Sequence, residues 1–96
     1  MMRELSEMRK DIDRVDEGLK ALFEERIGLS LEIADFKKEH DLPIYDKKRE
    51  EEMLDKLSKD YEDPFMKESI RELFNCLITI SKRLQEKTIK RGEDQA

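Results

Sequence analysis

Among the 96 residues there is one cysteine, one histidine, two prolines, three glycines and no tryptophan. Each scarcity excludes something. A lone Cys76 cannot build an internal disulfide framework, and it suits a reducing cytoplasm. Cys76 has no histidine near it in sequence to activate it as a nucleophile, and one His and one Cys in distant segments make a poor start for a metal centre. No glycine-rich phosphate loop occurs. No apolar run approaches the ~20 residues of a membrane span. The opening Met1 to Glu7 lacks the apolar stretch of a signal peptide, so a cytoplasmic location is expected. Few breakers leave room for few, long elements.

Charge is what the chain has in plenty. Charged side chains make up 47% of it against 36% apolar, a balance that suits long amphipathic helices with solvated outer faces. The 20 basic and 25 acidic residues leave a formal charge of −5. A phosphate backbone or an anionic membrane surface needs a basic face, so neither is an expected partner. At this length the chain forms one small domain with a thin core.

The apolar positions then set the architecture. From Leu5 they step by three and four through Met8, Ile12, Val15, Leu19 and Leu22, then Leu29, Ile33 and Phe36. Such alternation is the mark of a helix that buries one stripe against partner helices. It predicts a first helix from about Leu5 to about Glu39, which Gly18 and Gly28 weaken only modestly. At 1.5 Å per residue this helix is roughly 50 Å long, whereas a compact monomer of this size is about 30 Å across. Its stripe would be wet at one end, so a homodimer is expected. Pro43 stops the first helix. Asp46 is placed to cap a second, whose apolar face is Met53, Leu54, Leu57 and Tyr61. Asp63-Pro64 starts a third, carrying Ile70, Leu73, Phe74, Leu77, Ile78 and Leu84 to about Lys90. Residues 1–90 form the domain, and 91–96 a frayed polar tail.

Polar residues interrupt this pattern. The slot between Leu22 and Leu29 holds Arg26, and no acid fills a neighbouring seam slot. A buried guanidinium without a counter-charge is costly, so the missing anion points to a ligand. Lys37, close to three turns further, faces nearly the same way. Ser81 and Gln85 lie one turn apart on the apolar side of the third helix. Asp46, Arg49 and Glu50 share one side of the second helix's first turn. Each has an ordinary alternative: a solvated charge for Lys37, a hydroxyl bonded back to its helix for Ser81, a flank position for Gln85, a salt-bridged helix start for the last three. His40 reads as a helix C-terminal dipole contact. Arg9 lies roughly 40 Å from Lys37 along a straight helix and could share a ligand with it only from a partner chain. Together these groups describe a receptor for a small polyanion.

The same residues resemble a known family. Met8-Arg9-Lys10-Asp11-Ile12-Asp13-Arg14-Val15-Asp16 looks like the "R-x-x-I-D-x-x-D" start of the all-helical chorismate mutases, and Glu25-Arg26 like their mid-helix "E/R-R". Lys37, Leu42-Pro43-Ile44-Tyr45-Asp46 and Arg49-Glu50 resemble their "K…P-(I/V)-x-D-x-x-R-E" segment. Leu73-Phe74 with Ser81 and Gln85 resembles their closing helix. The match covers roughly residues 5–88.

The resemblance implies an all-α fold of three helices per chain, one very long, in an intertwined helical-bundle homodimer. It implies rearrangement of chorismate to prephenate by a concerted [3,3] shift, on the route to phenylalanine and tyrosine, with no cofactor and no metal. By the same resemblance Arg9 from the partner chain and Arg26 would hold substrate carboxylates, supported by Arg49 and Ser81. Lys37 and Gln85 would bond the ether oxygen, and Glu50 with the amide of Asp46 the ring hydroxyl. Isochorismate pyruvate lyase shares the fold but lacks the acid at Glu50. A non-catalytic helical dimer would explain the seam but not Arg26, Ser81 and Gln85.

Overall fold

The computed structural model describes the backbone of residues 3–95 and the side chains of residues 3–88. Three helices follow one another: α1 (Leu5–Glu39), α2 (Lys47–Ser58) and α3 (Pro64–Gln95), with no strand among the described residues. The boundaries have local causes. At the end of α1 the chain turns through Asp41, whose φ of 52° is left-handed. The Leu42 amide reaches back to the Lys37 carbonyl at 2.8 Å and the Asp41 amide to that of Lys38 at 3.4 Å. These two bonds satisfy carbonyls that the helix would otherwise leave open. His40 adds a third contact, its Nδ1 2.9 Å from the Phe36 carbonyl while its ring stacks on that of Phe36.

Asp46 caps α2 as expected, accepting from the Arg49 amide at 3.1 Å. Asp63 accepts from the Phe65 amide at 3.0 Å, which leaves Pro64, with no N–H to satisfy, at the first position of α3. The backbone of α3 continues to Gln95, past the expected end near Lys90. A single glycine, Gly92, costs about 1 kcal/mol and does not stop a helix rich in lysine, arginine and glutamate. Ala96 and the side chains of the expected tail lie outside the described residues.

α3 is the middle of the assembly. It packs on both α1 and α2, and those two meet each other only through it. Arg26 pairs with Leu77 and Ser81, and Ser30 with Ser81 and Gln85, so the second half of α1 runs in the same direction as α3. Glu50 pairs with Lys82, and Asp55 and Ser58 with Arg71, so α2 runs the opposite way.

Within one chain the long apolar stripe of α1 is not what packs. Leu5, Met8, Ile12, Val15, Leu19 and Leu22 are exposed, and so are Leu29, Ile33 and Phe36. α1 instead offers α3 the neighbouring stripe of small residues, Ser30 and Ala34, both buried. Small side chains let the two backbones approach, and the leucine face is left open. The chain is accordingly extended, 63 × 29 × 14 Å, with a radius of gyration of 17.7 Å against about 12–13 Å for a compact domain of this length. Its accessible surface is 8368 Å², where a compact monomer of this mass exposes about 5,800 Å².

The left-handed turn yields a stability prediction. An L residue with a side-chain β-carbon is strained there, and a β-branched one most of all. Asp41→Gly should raise the free energy of urea unfolding by about 0.5–1 kcal/mol, and Asp41→Val should lower it by about 1–2 kcal/mol. Equal stabilities would remove the turn from any role in ending α1.

Candidate functional site

Three helices leave a notch, and the buried residues around it are unusual. Among the described residues, apart from Ala34, Leu54 and Ile78, the buried side chains are Ser30, Ser58, Ser81 and Gln85. A thin core that gives this much of its interior to polar groups must satisfy each of them. Ser58 does so locally, donating to the Leu54 carbonyl at 2.7 Å and accepting from Arg71 at 3.3 Å. The other three converge on the α1–α3 contact. Arg26 Nη1 donates to Ser81 Oγ and, at 3.4 Å, to the Leu77 carbonyl. Ser30 Oγ donates to Ser81 Oγ at 3.2 Å, and Gln85 Nε2 to the Ser30 carbonyl at 3.3 Å.

These groups form one wall of a cavity of about 160 Å³. α1 contributes Arg26, Ser30, Ile33 and Lys37, a 4-3-4 stepping that keeps one stripe pointing inward. α2 with its cap contributes Asp46, Arg49, Glu50 and Met53, and α3 contributes Ile78, Ser81, Lys82 and Gln85. The last two sets share a spacing of three, one and three, so two antiparallel helices present matching faces across the notch. The loop closes the end of the cavity: Lys37 Nζ donates to the Ile44 carbonyl at 3.0 Å.

Electrostatically the cavity is positive inside a negative molecule. Four cationic side chains and two carboxylates line it, an excess of two positive charges. Lys82 is paired with Glu50. Arg26, Lys37 and Arg49 make no ion pair among the described residues; Arg26 is held by neutral oxygens and Lys37 by a carbonyl. Oriented cations held by neutral partners keep their charge available to an incoming anion. Ile33, Ile44, Met53 and Ile78 supply an apolar lining, so the cavity suits a guest with an apolar frame and two negative groups.

Of the residues singled out from the sequence, Arg26, Lys37, Asp46, Arg49, Glu50, Ser81 and Gln85 all line this cavity. Arg9 does not; it is exposed on the uncovered half of α1. Two lining residues escaped the sequence reading. Ser30 lies one turn after Arg26, and that offset was the available signal. Lys82 adjoins Ser81 and reads from sequence as one of many solvated lysines.

The comparisons with known proteins agree with this geometry. The family described as chorismate mutase type II matches residues 8–86. The chain belongs to that family. It is 30% identical to a chorismate mutase of Methanocaldococcus jannaschii, over 99% of this chain and 97% of that protein. It is 36% identical to a bifunctional chorismate mutase/prephenate dehydratase of Aquifex aeolicus, over 88% of this chain but only 25% of that protein, about a quarter of its length. Among solved structures, chorismate mutase from Thermus thermophilus superposes in two forms, each 40% identical. Form II gives a TM-score of 0.81 over 88% of this chain and 96% of that one, and form I gives 0.76 over 82% and 99%. The three-helix, all-α architecture is therefore that of the family. No described helix is long and apolar enough to cross a membrane.

Arg26 carries a prediction about stability rather than rate. Its charge is partly buried with no anion beside it, an arrangement that costs folding energy. Arg26→Leu would complete the seam pattern. Its free energy of unfolding in urea should be unchanged or higher by about 1 kcal/mol. A loss of more than that would mark Arg26 as structural.

Proposed function

We propose that this chain converts chorismate to prephenate as a homodimer in which Arg9 of each chain completes the cavity of the other. The observation that carries the reading is the cavity itself: Arg26, Lys37 and Arg49, free of ion pairs among the described residues, around an apolar frame, in a member of the chorismate mutase type II family.

The chemistry asks for little else. A concerted [3,3] shift breaks a C–O bond and forms a C–C bond with no nucleophile and no proton transfer. Two tasks remain: folding a flexible dianion into its reactive chair, and stabilising charge that grows on the ether oxygen. Arg26 and Arg49, on different helices, grip the carboxylates, with Ser81 bracing Arg26 from α3. Fixing the guest in this way supplies several kcal/mol through orientation. Lys37 and Gln85 face the ether oxygen. Each spends one donor on a carbonyl, of Ile44 and of Ser30, and keeps another N–H for the guest. A preplaced donor at developing charge contributes roughly 3–4 kcal/mol in comparable sites. Gln85 needs no added proton to donate, so activity does not depend on acidic pH. Glu50, with the Asp46 amide, takes the ring hydroxyl, the feature that favours the mutase over the isochorismate pyruvate lyase of the same fold.

The dimer rests on three supports. The first half of α1 is uncovered along its apolar stripe, the surface exceeds that of a compact monomer, and the cavity of about 160 Å³ is smaller than the ~300–1,000 Å³ typical of small-molecule sites. A second chain laid along α1 covers the stripe and brings its Arg9 to the open side. The exposed free thiol of Cys76 suits the reducing cytoplasm where aromatic amino acids are made.

Incubation with chorismate should give prephenate, and Arg26→Leu should lower kcat/KM by about a hundred- to a thousandfold while the helical circular dichroism stays. Pyruvate from isochorismate without prephenate from chorismate would overturn the assignment in favour of the lyase. The shared site predicts complementation. Arg9→Ala and Lys37→Ala chains, each inactive alone, should regain activity when mixed and allowed to exchange, because one cavity in each mixed dimer has both residues. Exchange shown by mass-tagged subunits, without rescue, would refute the contribution of Arg9 across chains.

A further inference from the structure

Lys82 lines the cavity, yet none of the contacts proposed for the reacting guest falls to it. Its surroundings are specific. Nζ lies 2.9 Å from Glu50 Oε1, with the two side chains 36% and 24% exposed, and stands 5.3 Å from the centre of the Tyr45 ring. Exposed ion pairs contribute little, because water competes and two long side chains must be ordered. This pair is partly shielded, and the aromatic face beside the ammonium favours the same position for the charge. Lys82 thereby bridges three parts of the site: α3, the first turn of α2, and the loop before it.

Glu50 depends on this contact. Among the described residues its carboxylate has no other ion pair, and no hydrogen bond beyond it. An acid in a cavity built for a dianion is also an electrostatic conflict, since the same walls that attract the guest must carry a group that repels it. We propose that Lys82 is a positioning residue for Glu50: it engages Oε1, turns Oε2 toward the guest's ring hydroxyl, and offsets the carboxylate's charge so that an acid can serve in an anion site. Selectivity for a hydroxyl-bearing dianion is then a joint property of Glu50 and Lys82. The inference rests on the mutase reading and on the role of Glu50 within it.

Coupling between the two residues is the readout that a merely structural lysine would not produce. Steady-state kinetics with chorismate should show Lys82→Met losing about tenfold or more in kcat/KM, mostly through KM, because a group bonded to a non-reacting hydroxyl binds ground and transition states alike. The same change made on Glu50→Gln should cost less than about threefold. Lys82→Arg, which keeps the charge and can reach the carboxylate, should recover most of the loss. No loss in Lys82→Met, or equal losses in both backgrounds, would overturn the inference while the mutase reading stands. A wild-type chain that makes no prephenate would sink both together.

Discussion

Arg26 is a charge held in a helix seam by neutral oxygens, and the organisation of the site follows from it. A carboxylate in place of Ser81 would have neutralised the guanidinium and closed the notch. A leucine in place of Arg26 would have completed the seam. The chain has neither, so the α1–α3 contact is made by small and polar residues, with Ser30, Ser81 and Gln85 bonding one another across it. The polar interior lies where α3 must also support α2, and the cavity forms at that junction.

This arrangement explains how a molecule with a formal charge of −5 can hold an anion. The acids lie mostly on outer helix faces, where water screens them. Arg26 and Lys37 are partly buried on α1, where screening is weaker and neutral oxygens fix their direction, and Arg49 joins them from the first turn of α2. The two acids that do reach the cavity are each occupied: Asp46 caps α2, and Glu50 pairs with Lys82. Net charge is thus a poor guide to binding here, and the local excess of cations over carboxylates is the relevant quantity.

Much of this was legible in the sequence, for identifiable reasons. The ends of α1 followed from its 3/4 stepping, which runs on past Arg26, and from Pro43. The starts of α2 and α3 followed from Asp46 and Asp63-Pro64. Arg26, Ser81 and Gln85 showed as polar residues on apolar faces, which periodicity detects well. Periodicity could not say which neighbour a stripe meets: α1 packs on α3 through Ser30 and Ala34, and the leucine stripe beside them stays open. Nor could it separate Lys82 from the other lysines, since its role depends on the antiparallel register of α2 and α3. The far end of α3 was missed because the polar residues after Lys90 favour helix almost as much as those before it.

The position of α3 between the other two helices has a mechanical result. One stripe of it is engaged by α1 through Leu77, Ser81 and Gln85, and the adjoining stripe, about a quarter-turn round, by α2 through Arg71 and Lys82. An axial roll of α3 in either sense would disturb both sets at once. The helix is thus indexed in rotation by two adjoining sets of polar contacts, where the described residues of one chain bury few apolar side chains.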